Sequence, residues 1–262
     1  MIVGGCDIGS ATGKAVVMKD GEILSYSIIP STTKPEVTAR TAMDEAIEKA
    51  GLSSVDDLDY IVGTGYGRLK VPFANENVSE ITCHARGAQL LCSSVRTVID
   101  IGGQDCKVTS VSEKGKVLEF VMNDRCAAGT GRFFEAMARV LHCGLEGLSS
   151  LSENGQTPAT ISSQCSVFAE SEVVTLINEG VELPNIVAGI NNSVAARLNS
   201  MVGRVGLVED VAITGGCAKN DGLVMALEGK LKVKVKRLPQ DPQIVGAIGA
   251  ALIAKEKLQA LS

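Results

Sequence analysis

The 262-residue sequence predicts an α/β fold of two duplicated lobes that face each other across a cleft. The first observation is an internal echo, in which Asp7-Ile8-Gly9-Ser10 recurs as Asp100-Ile101-Gly102-Gly103 with a lysine seven residues after each aspartate. The second is that both copies read as strand, glycine turn, strand, turn and strand. The third is that helical stretches and short apolar strands alternate between and after the copies, as they do in α/β proteins.

The stretch between the two copies alternates helix and strand signals. Apolar residues at helical spacing predict a helix over residues 36–50, which Gly51 would end. Residues 60–62 predict a short strand that runs into a glycine-rich loop at residues 63–67, and residues 81–91 predict a second helix.

The second half carries stronger helical patterns. They predict helices over residues 133–141, 169–177, 186–201 and 244–258, and a buried strand over residues 211–214 that ends in Gly215-Gly216. We therefore divide the chain into a first lobe of residues 1–95, completed by a C-terminal helix of residues 245–262, and a second lobe of residues 96–244.

The net charge and the lengths of the apolar stretches argue against nucleic acid and membranes as partners. The net charge of −5 argues against nucleic acid, whose binding proteins are usually basic. The longest apolar stretch, residues 244–254, is shorter than the roughly 20 residues that cross a bilayer. The N-terminus shows no basic leader followed by an apolar run, so we expect a soluble cytoplasmic protein without a membrane partner.

The two Asp-Ile-Gly turns predict a nucleotide site. A strand that ends in Asp-x-Gly and turns directly into another strand leaves backbone N–H groups free where a phosphate can approach closely. Two such turns that face each other can clamp the β- and γ-phosphates, while Asp7 and Asp100 hold Mg²⁺ through water. The sequence contains neither a Walker A motif nor a GxGxxG between strand and helix, which argues against P-loop and Rossmann proteins.

Residues in and near these turns receive individual roles. Asp7, Asp100 and Gln104 are the predicted catalytic residues; Gln104 would orient the attacking water with help from Asp105, although Gln104 as a plain turn residue stays open. The nucleoside would rest on Gly215 and Gly216 with Asn220 within reach. The predicted nucleotide-binding set also includes Gly9, Ser10, Ala11, Thr12, Gly102, Gly103, Gln104, Asp105 and Gly131.

This arrangement resembles the superfamily of actin, sugar kinases and heat-shock chaperone ATPases. The resemblance implies an actin-like ATPase fold with two ribonuclease-H-like lobes around a nucleotide cleft. It assigns residues 6–17 and 98–111 to the two phosphate hairpins and residues 212–220 to the adenosine motif. Residues 246–251 look like the closing connector, whose small residues let two helices cross at the hinge; a plain buried Gly/Ala-rich helix is the alternative.

Two of the eight cysteines stand apart. The chain has no CxxC pair, so zinc-ribbon and thioredoxin interpretations lack support. Cys126 and Cys165 each precede a predicted helix, whose dipole favours the metal-binding thiolate. Two thiolates do not complete a site of four, so either other ligands lie elsewhere or a symmetric dimer supplies the pair twice, as would suit [4Fe–4S]. Ordinary packing roles for both cysteines are the alternative.

Essentially the whole chain resembles the activator proteins of 2-hydroxyacyl-CoA dehydratases, which are similar to the ATPase subunits of benzoyl-CoA reductases. The motifs that carry this resemblance are DIGS (7–10), GTGYGR (63–68), EITCHA (80–85), DIGGQD (100–105), NDRCAAGTG (123–131) and CSVFAESE (165–172). The resemblance implies that Cys126 and Cys165 ligate one [4Fe–4S] cluster shared by a homodimer. It also implies that ferredoxin or flavodoxin supplies an electron, which ATP hydrolysis drives into the dehydratase.

Two other functions fit parts of the pattern. A small-molecule kinase of the same superfamily, acting on a sugar, would explain the hairpins and leave Cys126 and Cys165 without a task. A regulatory or assembly protein that uses ATP as a switch would do the same. Iron content separates both from the dehydratase activator.

Overall fold

The computed structural model describes residues 1–123, 127, 129–152, 154–162 and 165–261, and the strands among them form two five-stranded sheets. The first sheet contains β1 (Ile2–Ile8), β2 (Thr12–Lys19), β3 (Glu22–Pro30), β4 (Tyr60–Thr64) and β5 (Glu76–Asn77). The second contains β6 (Thr97–Ile101), β7 (Cys106–Val111), β8 (Val117–Asn123), β9 (Val211–Thr214) and β10 (Val235–Lys236).

Both sheets have the same topology. Their strand orders are β3-β2-β1-β4-β5 and β8-β7-β6-β9-β10. In each sheet the first three strands in sequence pair antiparallel, and the last two run parallel to the first. The predicted two-lobed α/β fold with a duplicated core is confirmed.

Helices cover these sheets and link them. Two of them, α1 (Pro35–Lys49) and α2 (Glu80–Leu91), follow strands of the first lobe. The others are α3 (Gly131–Val140), α4 (Leu145–Ser152), α5 (Ser166–Asn178), α6 (Leu183–Val205), α7 (Asp221–Leu231) and α8 (Val245–Leu261). None of the helices in the described ranges is long and apolar enough to cross a bilayer.

Two of the observed helices begin two or three residues earlier than the apolar pattern predicts. The helix predicted from residue 133 begins at Gly131, and the helix predicted from residue 169 begins at Ser166. Apolar periodicity marks the buried face of a helix, whereas the first turn carries N–H groups without an intrahelical partner and tolerates polar residues. We predicted no helix at α4 or α7.

The crossing of α2 and α8 links the two lobes. Val3, Val62 and Ile248 share one apolar cluster, so α8 packs on the first sheet. A methyl group added at Gly249 would overlap the carbonyl oxygen of Cys83, and one at Gly87 would overlap that of Val245. Small residues are therefore what lets α8 cross α2 closely, as predicted for residues 246–251. The division into domains, including the assignment of the C-terminal helix to the first lobe, stays a prediction.

Candidate functional site

The first hairpin places a buried ion pair at its base. In the register of β1 and β2, Asp7 lies opposite Lys14, and its Oδ2 is 2.9 Å from the lysine Nζ. The turn between the strands is closed by the N–H of Gly9, which donates to the carbonyl oxygen of Thr12 at 3.0 Å. The hairpin thus joins a buried carboxylate to a tight glycine turn, as predicted for a phosphate-binding loop.

The second hairpin repeats this geometry. Asp100 lies opposite Lys107 in the register of β6 and β7, and the N–H of Gly102 donates to the carbonyl oxygen of Asp105 at 2.9 Å. The ammonium of Lys107 also contacts Glu80 of α2, which gives it three carboxylate partners at 3.4, 2.6 and 3.5 Å (Asp100, Asp105 and Glu80). Burial disfavours the charged ammonium, but these carboxylates outweigh that effect and raise the pKa of Lys107.

The two turns meet across the cleft. A Cβ added at Gly103 would lie 2.8 Å from the Cβ of Ala11 and 3.0 Å from the Oγ of Ser10. The predicted phosphate-binding residues of both lobes are therefore in contact, and Gln104 is exposed at the tip of the second turn. The binding of a phosphate chain between these turns stays a prediction.

A second echo escaped the sequence analysis. Thr64 lies opposite Asp7 in the parallel register of β4 and β1, and Thr214 lies opposite Asp100 in that of β9 and β6. Each threonine is followed by a glycine with positive φ, 87° at Gly65 and 84° at Gly215. The Thr-Gly pair that residues 63–67 and 213–216 share is the sequence signal from which this second repeat could have been predicted.

The environment of Asp100 differs from that of Asp7. Burial alone would raise the pKa of Asp100, but the nearby His84 and Lys107 and a hydrogen bond from Thr214 hold it below its ordinary value. The imidazole Nδ1 of His84 is 3.4 Å from the Oδ1 of Asp100. The sequence analysis gave His84 no role, because it lies in no known ligand spacing.

Asn220 has structural partners of its own. Its Oδ1 accepts from the N–H of Leu223 at the start of α7, and its Nδ2 donates to the Oδ1 of Asn191 at 3.0 Å. These bonds hold the turn at Gly215 and Gly216 against α6 and α7. Its predicted contact with the nucleoside stays a prediction.

The second phosphate turn is bonded directly to α3. The N–H groups of Gly131 and Arg132 donate to the carbonyl oxygens of Gly102 and Gly103, both at 2.9 Å. Gly131, a predicted nucleotide-binding residue, therefore contacts the phosphate turn itself. These two hydrogen bonds join that turn to the N-terminus of α3.

Only one of the two singled-out cysteines lies in the described part of the chain. Cys165 has an exposed thiol and is the N-cap residue of α5, as predicted. The segment before Cys165 is held by Glu172, whose carboxylate accepts hydrogen bonds from the N–H of Ser162 at 2.9 Å and from the Ser162 hydroxyl. Cys126 lies outside the described residues. α3 and α5 pack against each other.

Comparisons with known proteins agree with these features. The activator of lactoyl-CoA dehydratase from Anaerotignum propionicum is 47% identical over 256 residues, which are 97% of this chain and 98% of that protein. The structure of the activator of the 2-hydroxyisocaproyl-CoA dehydratase from Clostridium difficile with bound ADPNP is 41% identical with a TM-score of 0.94, covering 100% of this chain and 97% of that one.

A more distant structure shows the fold alone. The glucokinase of the ROK family from Streptomyces griseus, in complex with glucose and AMPPNP, is 13% identical with a TM-score of 0.60, covering 98% of this chain and 100% of that one. The predicted actin-like fold and the resemblance to dehydratase activators are confirmed. Residues 5–254 match the BadF/BadG/BcrA/BcrD ATPase family, and the chain belongs to that family.

Proposed function

We propose that this protein is the ATP-hydrolysing activator of a 2-hydroxyacyl-CoA dehydratase. It would hold one [4Fe–4S] cluster between two copies of itself and pass a low-potential electron to the dehydratase. The observation that carries this proposal is the direct bonding of the second phosphate turn to α3, the helix that follows Cys126. The activator of lactoyl-CoA dehydratase, at 47% identity, supports the same assignment.

The cleft suits Mg²⁺ and a nucleotide. Asp7 and Asp100 contribute one buried carboxylate from each lobe, and Mg²⁺ prefers carboxylate, phosphate and water oxygens. Backbone N–H groups at the turns of Gly9 and Gly102 would bind phosphates, and Gln104 would orient the attacking water. Lys14 and Lys107 pair with the two carboxylates and hold them in place.

The surroundings of Cys165 suit a thiolate-held cluster. Its thiol is exposed at the N-terminus of α5, where the free N–H groups of the first turn favour negative charge. With Cys126, a homodimer would offer four thiolates. A [4Fe–4S] cluster bound there would accept and release one electron. Ferredoxin or flavodoxin is the proposed donor in the cytoplasm.

The proposed link between the nucleotide and the two cysteines runs through the hydrogen bonds between the second phosphate turn and α3. Nucleotide binding would shift the backbone at Gly102 and Gly103, and the two hydrogen bonds at 2.9 Å would move the first residues of α3 with it. Because α3 packs on α5, the segments that carry Cys126 and Cys165 would respond together. Such coupling requires that the nucleotide bind two arrangements of the lobes with different affinity.

A sugar kinase is the second candidate, favoured by the fold shared with the ROK glucokinase. It would use the same hairpins and the same Mg²⁺. It assigns no role to the exposed thiol of Cys165 at a helix N-terminus.

One experiment separates the two functions. Anaerobically purified protein, reduced ferredoxin and a 2-hydroxyacyl-CoA dehydratase are mixed with and without ATP, and dehydration of the acyl-CoA is followed. We expect dehydration that requires ATP and is lost in Cys165→Ser but kept in Cys92→Ser, a matched change at a partly buried thiol. Transfer of the γ-phosphate to a sugar, unaffected by Cys165→Ser, would show a kinase instead.

A further inference from the structure

His84 lies between the two lobes and takes no part in the function proposed above. It belongs to α2, is 8% exposed and comes within reach of both duplicated hairpins. On one side, its Nδ1 is 3.0 Å from the Oγ1 of Thr214 and 3.4 Å from the Oδ1 of Asp100. On the other side, its Nε2 and the Oδ2 of Asp7 lie 2.7 and 2.9 Å from the point where a Cβ on Gly246 would stand.

The direction of the hydrogen bonds fixes the proton on this imidazole. The Oγ1 of Thr214 donates to the Oδ1 of Asp100 at 3.0 Å, because an ionised carboxylate only accepts. A hydroxyl has a single proton, so the same Oγ1 must accept from His84, and Nδ1 carries the hydrogen. The result is a directed chain from the imidazole through the hydroxyl to the carboxylate.

These hydrogen bonds connect Asp100 to the crossing of α2 and α8. α2 crosses α8 at glycines, so His84 moves with the element that joins the lobes. The same helix face carries Glu80, four residues earlier, whose carboxylate is 3.5 Å from Lys107. Both neighbours of Asp100, the lysine and the threonine, are thus held by α2.

We propose that His84 is a positioning residue for ATP hydrolysis: through Thr214 it sets the orientation of the Asp100 carboxylate towards Mg²⁺·nucleotide, and it ties that orientation to the α2–α8 crossing. This inference rests on nucleotide binding between the two hairpins and is independent of any cluster. Iron-free protein would therefore contradict the electron-transfer function and leave this inference standing, whereas wild-type protein that binds no nucleotide would overturn it.

Three variants test the series of hydrogen bonds from His84 through Thr214 to Asp100. His84→Leu removes the donor, Thr214→Val removes the relay with little change of shape, and the double variant removes both. His84→Asn keeps an N–H donor at the position of Nδ1, so it should restore function. His142→Asn is the matched control, since His142 is the other histidine of the chain, is exposed, and has a φ of 50° that asparagine tolerates.

The readouts are kcat and KM of ATP hydrolysis, the Mg²⁺ concentration for half-maximal rate, and calorimetric nucleotide affinity with and without Mg²⁺. We expect His84→Leu and Thr214→Val each to lower kcat about tenfold, as small misplacement does, and to raise the Mg²⁺ requirement. Affinity for nucleotide without Mg²⁺ should not change. The double variant should be no worse than either single one, because both break the same chain.

A contrary pattern is equally specific. If the losses of kcat in the two single variants multiply in the double variant, His84 and Thr214 do not act through one series of hydrogen bonds. The same conclusion follows if His84→Asn is as impaired as His84→Leu. An unchanged Mg²⁺ requirement with a lowered unfolding temperature would make His84 a core histidine. Thr214→Val keeps the test decisive should His84→Leu fail to fold, because it leaves the hinge helix untouched.

Discussion

At the scale of single residues, the site depends on buried charges that are matched within each hairpin. Asp7 and Asp100 are 3% and 6% exposed, a burial that a carboxylate does not tolerate alone. Each is neutralised by the lysine opposite it on the next strand. Removing one partner of such a pair leaves an uncompensated buried charge, so the pairs are conditions for the fold as well as for the chemistry.

The role of Gln104 can be tested without disturbing this core, because the side chain is exposed. Gln104→Ala should lower kcat of ATP hydrolysis about 100-fold if the amide orients the water, with little change in KM for ATP or in unfolding temperature. Gln259→Ala, an exposed glutamine in α8, is the control. An unchanged kcat in Gln104→Ala would contradict this role and show that Gln104 is a plain turn residue.

The Asp100 carboxylate should make stability depend on pH in one direction. Its pKa is lowered in the folded protein, so the stabilisation it gives is present above the ordinary carboxyl range and is lost as pH falls through the folded pKa. The difference in unfolding free energy between the wild type and Asp100→Asn should therefore shrink as pH falls below about 4. Urea unfolding at several pH values measures it, and a constant difference would contradict the ion pairing.

Cysteine reactivity should follow exposure. Burial raises the pKa of the thiols of Cys83 and Cys217 to about 12 and that of Cys106 to about 11, whereas the Cys165 thiol is exposed at a helix N-terminus. In metal-free protein, iodoacetamide at neutral pH should alkylate Cys165 well before these three. Mass spectrometry of peptides identifies the sites, and earlier labelling of Cys106 would contradict the described packing.

At the scale of elements, the two hairpins could be predicted, whereas the contact of α2 with the second sheet could not. Asp7 and Asp100 occur in matching local patterns, and a hairpin is a local structure. His84 and Thr214 are 130 residues apart, so no spacing reveals their contact. β5 and β10 are two-residue strands that exist through pairing alone, and periodicity needs longer segments to register.

The crossing of α2 and α8 gives a prediction for the elements that form the hinge. Gly249→Ala should lower the free energy of unfolding by about 1–3 kcal/mol, because the added methyl overlaps the backbone of Cys83. Gly203→Ala in α6 is the matched control: nothing lies within 4 Å of its added methyl, and alanine favours helix. Equal stability of the two variants in urea unfolding would argue against the close crossing.

At the scale of the whole molecule, two sheets of the same topology are packed against different helices. The first sheet packs against α8, and the second carries the helices that follow Cys126 and Cys165. The sequence predicted this division because the Asp-Ile-Gly echo locates both lobes. It left the α3 contact with Gly102 and Gly103 unpredicted, since bonds between backbone atoms have no residue signature.

The amounts of iron and acid-labile sulfide per dimer show whether two copies of the protein share one cluster. Wild-type protein purified without oxygen is compared with Cys126→Ser, Cys165→Ser and the Cys92→Ser control. We expect about four irons per dimer in the wild type and the control, and their loss in either of the other variants. Iron-free wild-type protein that still hydrolyses ATP as a monomer would contradict a cluster shared between two copies.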